Sequence, residues 1–399
     1  MKATGIIVEY NPFHNGHSYH ATKARQLSDA DVIVAVMSSS FLQRGIPALL
    51  PKWERAEMAL HHGVDLVVEL PYAYACQHAD LFSKGALSIL ASLNVESLCF
   101  GSESGEIDAF FQSATIMLQE ERKKNKTLTQ YLKQGMNYPT AYAKALEAFK
   151  LPLDLSKPNN ILGLQYVKAI LAYHYPIKPF TIQRTTDYHS ETIEQSIASA
   201  TSIRHHLLAK KPLEMIKQTL PKASYNIIQK YDTLSPFISW EQLFPYLKYR
   251  VKTSSIPQLA TILEAEEGLE YRIQSLIHSF PDFSSFIEAF KTKRYTQNRL
   301  QRFCTHILTN TTKEEITTLP AETPYVRLLG MNEKGRQYLN QIKKDMPVPL
   351  ITKRANHHHL LLDIEERAHL THSMGYPVNQ QKRMMEMEYK RPPVILKKK

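Results

Sequence analysis

A short apolar stretch, Thr4-Gly5-Ile6-Ile7-Val8-Glu9-Tyr10, runs directly into Asn11-Pro12-Phe13-His14-Asn15-Gly16-His17. A strand ending in a Pro-Phe turn, followed by H-x-G-H and a helical segment, constrains the fold more than any other feature of the chain. The β-branched run reads as a buried strand. His14 and His17 are three residues apart, so both face one side of the helix that follows. Gly16 lets backbone approach a ligand closely. The helix that continues through His20 and Lys23 aims its unpaired N–H groups and positive dipole end at an anion. This combination favours attack on the α-phosphate of a nucleotide, with charge stabilisation rather than covalent catalysis. Two exposed histidines on a turn are the plainer alternative. Zinc fits less well, because zinc on a helix takes histidines four apart with a further ligand, and no cysteine pair lies nearby. No metal ligand is assigned.

The first half alternates strand-like and helix-like segments. Strands are expected at 5–9, 31–37, 65–69, 97–100 and 180–183. Helices are expected at 17–27, 52–62, 79–93, 107–124 and 127–148. Strands spaced by helices imply βαβ units and a Rossmann-like, parallel, doubly wound α/β sheet. Ligands then sit beyond the carboxyl ends of the strands. The tails 14–17, 38–45, 69–72, Gly101-Ser102-Glu103 and Arg184 should converge there. After about residue 208 long helical segments take over, at 213–231, 240–249, 256–279, 283–291 and 299–309. From 346 the chain reads as irregular, with His357-His358-His359 and a Lys397-Lys398-Lys399 end. The expected organisation is a catalytic α/β domain (1–208), a mainly α-helical domain (209–345) and an irregular basic segment (346–399). The histidine run reads as a surface tract rather than a metal site, and the lysine end as disordered.

Lys and Arg number 49 against 38 Asp and Glu, a net charge of +11. That excess favours an anionic macromolecular partner, nucleic acid first. No apolar stretch is long enough to span a membrane. The N-terminus lacks a signal-peptide pattern. Cys76, Cys99 and Cys304 are scattered, which fits a reducing cytoplasm.

Other constellations point the same way. In Ser199-Ala200-Thr201-Ser202-Ile203-Arg204, small hydroxyl residues open a helix and an arginine follows. Hydroxyl caps, helix N–H groups and a guanidinium fork all suit a phosphate chain. Phe41-Leu42-Gln43-Arg44-Gly45 and Lys52-Trp53-Glu54-Arg55 are expected at the rim of the site. The asparagines of Lys157-Pro158-Asn159-Asn160 either read a ribose or adenine edge or cap the helix that follows. In the second half, Lys293, Arg294, Tyr295, Arg299 and Arg302 mix cations with an aromatic ring, as suits an RNA backbone and an unstacked base.

The Ser199–204 element resembles the S-[ST]-x-[IL]-[RK] element of nucleotidylyltransferases, with Ala200 where that pattern has its first serine. The N-terminal motif, 41–45, Gly63-Val64-Asp65-Leu66-Val67-Val68-Glu69-Leu70-Pro71, Phe100-Gly101-Ser102-Glu103, 155–163, 199–204, 291–302 and Tyr325-Val326-Arg327-Leu328-Leu329-Gly330 together resemble the bacterial tRNA(Met) cytidine acetate ligases. The likeness spans about residues 1–350. It implies an ATP-dependent ligase. Acetate would attack the α-phosphorus of ATP to give acetyl-adenylate, and the N4 amine of the wobble cytidine of elongator tRNA(Met) would then take the acetyl group. The implied ATP contacts are Ile7, Val8, Glu9, Tyr10, Asn11, Pro12, Phe13, His14, Asn15, Gly16, His17, His20, Gly101, Asn159 and Arg184. Ser202 and Arg204 join them through the second element. His14 and His17 are the expected catalytic pair. Magnesium is expected to shield the β,γ-phosphates, with no protein ligand assigned. The alternatives are a small-molecule nucleotidylyltransferase, a pantothenate-synthetase-like ligase, or a non-catalytic RNA-binding protein. Nothing in the sequence sets an oligomeric state.

Overall fold

The computed structural model describes residues 1–136, 138–147, 149–184, 198–266, 268–320 and 322–397. Positions 137 and 148 of the expected 127–148 helix, and Lys398 and Lys399 of the expected tail, lie outside the described residues. Five parallel strands carry the first half: β1 (Ala3–Val8), β2 (Val32–Ser38), β3 (Leu66–Leu70), β4 (Ser97–Ser102) and β5 (Lys178–Gln183). The first four are almost wholly buried, which is why they read as near-continuous apolar runs. Three more strands come from the second half: β6 (Val326–Met331), β7 (Leu350–Ile351) and β8 (Val394–Ile395). The sheet order is β5-β4-β1-β2-β3-β6-β7, with β8 also on β6. β6 runs antiparallel to β3, and β7 and β8 run parallel to β6.

The chain winds outward from β1 through β2 to β3, then returns to lay down β4 and β5 on the other side of β1. A crevice therefore opens at the carboxyl ends of β1 and β4, where such sheets bind ligands. Asp65, just before β3, pins neighbouring elements together. Its carboxylate accepts from the Ile33 amide at 2.8 Å, from Arg25 at 2.5 Å and from the Asn332 side chain at 2.9 Å.

The second half is largely helical, but two of the long helices read from sequence are broken. The 213–231 segment becomes a 3₁₀ turn, Leu213–Thr219, and a helix, Lys222–Leu234, which begins after Pro221. The 256–279 segment splits into Ile256–Thr261 and Leu269–Leu276, with Gly268 left-handed at φ 86° between them. Stacked aromatic rings form the centre of this half, among them Trp240 on Phe283 at 4.1 Å and Phe286 on Phe290 at 5.3 Å.

The segment after 346 is not irregular. It contains two helices, Leu360–Ser373 and Val378–Lys390, as well as β7 and β8. The apolar pattern hides them because their buried faces carry Glu365, His369, His372 and Glu388. Those carboxylates enter a buried ionic cluster. Lys52 Nζ contacts Glu69, lies 2.8 Å from Glu388 and lies 3.4 Å from Glu365. Arg327 contacts Glu388 and lies 3.4 Å from Glu69. Glu365 also accepts from the Tyr72 amide at 2.6 Å and from Ser39 at 3.0 Å. The three carboxylates lie close enough to ligate a cation, but the Lys52 ammonium contacts all three and takes that role. Lys52 and Arg55 are thus buried beneath the strand ends rather than placed at an exposed rim. Arg55 donates to the Glu9 and Ser38 carbonyls at 2.7 and 2.9 Å and so holds the ends of β1 and β2 in register.

Candidate active site

Beyond the carboxyl ends of the strands lies a cavity of about 460 Å³. Three helices begin at it. The helix Asn15–Ser28 starts behind β1, with His14 as its N-cap. His14 Nδ1 accepts from the Gly16 amide at 3.1 Å, and His17 Nδ1 accepts from the His14 amide at 3.3 Å, a reciprocal capping box built from two imidazoles. The two rings lie 3.8 Å apart. The helix Pro158–Ala172 starts below β4 with proline in its first turn. Its N-terminus is stapled to the loop after β4, because Glu103 accepts from the Asn159 side chain at 2.7 Å and from the Asn160 amide at 2.9 Å. The helix Ala200–Leu208 is capped by the Ser199 hydroxyl, which accepts from the Ser202 amide at 3.1 Å.

Gly16, Pro158, Asn159, Ala200 and Thr201 all line the cavity, so three positive helix ends converge on one space. Arg184 and Arg204 line it too. Arg204 donates to the Asn11 carbonyl at 2.8 Å and to Thr201 at 3.0 Å, which fixes its guanidinium at the wall. A Cβ added at Gly101 would meet only Arg184, at ordinary contact distance, so this glycine faces the open space of the cavity. The buried polar atoms Tyr10 Oη, Asn11 Nδ2 and His20 Nε2 have no hydrogen-bond partner among the described residues. They are groups that a polar ligand would satisfy.

The imidazoles are held neutral. Burial lowers His14 to about 3, helped by the charges of Arg184 and Arg204. Burial, with His14, His20 and Arg184, pushes His17 well below its ordinary value. His20 falls to about 4, chiefly through burial. An anion in the cavity would offset the cationic part of this depression.

Acid should therefore destabilise the ligand-free protein. Deep in the core, burial also lowers His306 and His372 to about 3. Unfolded, these groups titrate near their ordinary value of about 6.5. Between those values the unfolded chain binds more protons than the folded one. Stability is thus complete above about pH 7 and falls as pH drops below about 6.5, by about 1.4 kcal/mol per pH unit for each fully buried histidine. Denaturant midpoints between pH 7.5 and 5 test this, and a flat profile would refute it.

Among the expected nucleotide contacts, Ile7, Val8, Glu9, Tyr10, Asn11, His14, Gly16, His17, His20, Gly101, Asn159, Arg184 and Arg204 line the cavity. Pro12, Phe13, Asn15 and Ser202 do not. Phe13 is buried behind Tyr10, with ring centroids 4.6 Å apart. Asn15 donates to the Gln218 carbonyl at 2.7 Å, and the Ser202 hydroxyl donates to the Ser199 carbonyl at 2.9 Å. The sequence did not single out Phe82, Tyr166 or Asn298, yet all three line the cavity. Asn298 comes from the helical half, and no local pattern connects it to the H-x-G-H motif.

The basic segment of the helical half is only partly a surface. Lys293 and Arg294 are exposed. Arg299 packs over the Tyr295 ring at 4.8 Å and pairs with Glu266 at 2.5 Å. Arg302 is buried and bonded to Glu264 at 2.7 Å, so it is a structural residue and not an exposed phosphate contact.

Paired imidazoles at a helix start beside β1, with a second capped helix and its arginine across the crevice, define a nucleotidyl transferase. A model of the HIGH nucleotidyl transferase family matches residues 1–388, and the chain belongs to that family. Within it the chain groups with the tRNA(Met) cytidine acetate ligases. It is 48% identical to the ligase of Anoxybacillus flavithermus, over 99% of this chain and the whole of the relative. It is 46% identical to that of Bacillus subtilis, over 94% of this chain and 92% of the relative. Among solved structures, apo Thermotoga maritima TmcAL superposes with a TM-score of 0.93 at 31% identity, each chain covered in full. The same protein bound with alpha-thio ATP superposes with a TM-score of 0.89. Among the described residues, no helix is long and apolar enough to cross a membrane.

Proposed function

We propose that this protein is an ATP-dependent acetate ligase that acetylates N4 of the wobble cytidine of elongator tRNA(Met) through acetyl-adenylate. The observation that carries the reading is the convergence of three helix N-termini, Arg184 and Arg204 on the neutral His14–His17 pair. This is a preorganised site for charge that develops on a phosphate. In the first step an acetate oxygen attacks the α-phosphorus and pyrophosphate leaves. Acetate is already ionised at neutral pH, so no general base is needed. In the second step the cytidine amine attacks the acetyl carbonyl, AMP leaves and the amine loses a proton.

Ile7, Val8, Tyr10, Asn11, Gly16 and His20, with Gly101, Asn159, Arg184 and Arg204, would hold ATP, and His14 and His17 would donate hydrogen bonds to the reacting phosphate. The lining offers one carboxylate among the described residues, Glu9, and one of its oxygens already accepts from the Gln43 amide at 2.9 Å. Magnesium therefore fits as a metal carried on the triphosphate, where it would neutralise the β,γ-phosphates. Residues 1–208 would carry the chemistry. Residues 209–345 would bind tRNA, with Lys293, Arg294, Tyr295 and Arg299 toward the RNA backbone. A cytoplasmic enzyme follows from the tRNA substrate.

Labelled acetate with ATP should label tRNA(Met), while acetyl-coenzyme A without ATP should not. Efficient transfer from acetyl-coenzyme A alone would overturn the mechanism.

A further inference from the structure

The cavity has two chemically different ends, and the sheet order fixes which is which. β1 lies between β4 and β2. Gly101, Asn159 and Arg184 line the β4–β5 side, while Leu42, Gln43, Arg44 and Ile46 come from the loop beyond β2. His14 and His17 follow β1, between the two. A nucleotide whose α-phosphate sits at the histidines, with its base over β4 and β5, leaves the β2 side to the groups that attack.

We propose that Glu9, Arg44 and Asn298 read the Watson–Crick edge of the acceptor cytosine at this β2-side end. The proposal rests on the ligase reading above and names the residues that would make it base-specific. Cytosine presents its N4 amine as donor and N3 and O2 as acceptors. The Glu9 carboxylate matches the amine, and the guanidinium of Arg44 and the amide of Asn298 match the two acceptors. Phe82 and Leu42 supply apolar surface in the same cavity. Uracil has a carbonyl at position 4 and a proton on N3, so it would set an acceptor against the carboxylate.

The loop that carries Arg44 is built to hold position. Phe41 and Pro47 form an antiparallel bridge that closes a tight hairpin. Its Gln43 amide binds Glu9 at 2.9 Å and orients the carboxylate, while the Gln43 side chain donates to the Gln77 carbonyl at 2.9 Å. Gly45 sits at φ 72°, and any side chain there would collide with the Arg302 backbone. Its carbonyl accepts from Trp240 Nε1 at 2.9 Å and from the Thr305 hydroxyl at 3.0 Å. Asn298 lies on the same helix as Arg302 and Thr305, Gln297–Thr309. The helical half thus holds the hairpin and contributes a reading group of its own.

The test uses Arg44→Ala, Asn298→Ala and the double variant of the full chain. Two rates are compared: acetate-dependent ATP–pyrophosphate exchange, and transfer of labelled acetate to tRNA(Met). The ratio of transfer to exchange should fall at least tenfold in the double variant. An anticodon stem–loop with uridine in place of the wobble cytidine should compete less well than the cytidine loop against the wild type, and this preference should shrink in the variant. Asn298 is exposed, so its truncation tests the proposal without disturbing the core. An unchanged ratio overturns the assignment. A parallel fall in both rates also overturns it, because the residues would then serve ATP or acetate. A wild-type protein with no acetate-dependent exchange would instead sink the ligase reading itself.

Discussion

Replacing His17 with alanine should lower acetate-dependent pyrophosphate release by a factor on the order of a hundred or more, the loss typical of removing one donor aimed at developing charge. His17 is held neutral by burial and by its neighbours, so in the proposed reaction it would act as a fixed dipole that needs no proton from solvent. Its Nδ1 accepts from the His14 amide, which leaves Nε2 as the protonated nitrogen available to a phosphate oxygen. The same substitution removes half of the capping box, at a cost of about 1 kcal/mol in stability. His17→Asn separates the two effects, because the shorter amide keeps a capping acceptor but does not reach the phosphate. The asparagine variant should recover stability and not activity. Near wild-type pyrophosphate release in either variant would remove His17 from the mechanism.

The second large effect concerns stability. Lys52→Met should destabilise the protein by about 3–5 kcal/mol, the range found when one partner of a buried ionic group is removed. Lys52 is completely buried among Glu69, Glu365 and Glu388, with Arg327 as the other cation in direct contact with the group. Without the ammonium, Glu69 and Glu388 share one guanidinium in a medium that solvates neither, beside a Glu365 carboxyl that burial and the Glu69 charge already push up to about 8. Adding Glu69→Gln to Lys52→Met should return part of the loss, because the carboxylate that loses its direct ammonium partner disappears. Urea unfolding of the single and double variants measures both terms. A single variant as stable as the wild type would show that the cluster holds nothing together.

The parallel half of the sheet was legible because its strands are short β-branched runs separated by amphipathic helices, and buried parallel strands need no alternation. The H-x-G-H helix start and the Ser199 cap were legible because capping is local chemistry. β6 was not, since Val326–Met331 follows a run of helices and carries Arg327 as its second residue, a residue tolerable there only because Glu69 and Glu388 wait in the fold. The two C-terminal helices escaped for the same reason: Glu365, His369, His372 and Glu388 look like surface residues until their partners are known. Arg302 was misjudged because its burial depends on Glu264, thirty-eight positions earlier. Charged residues at buried positions are set by tertiary partners that no window of sequence contains.

The antiparallel pairing of β6 on β3 bears on how the chain is made. A ribosome completes Leu66–Leu70 long before it reaches Val326–Met331. Throughout that interval β3 presents an open, mostly apolar edge of unpaired amides and carbonyls, the kind of edge that recruits strands from other chains. The nascent protein is thus most prone to aggregate while its nucleotide site is already encoded but its sheet is unfinished. Truncations ending before residue 326 should accumulate as insoluble or chaperone-bound material, and the stretch that begins at Val326 serves as the closing seam that ends this exposure.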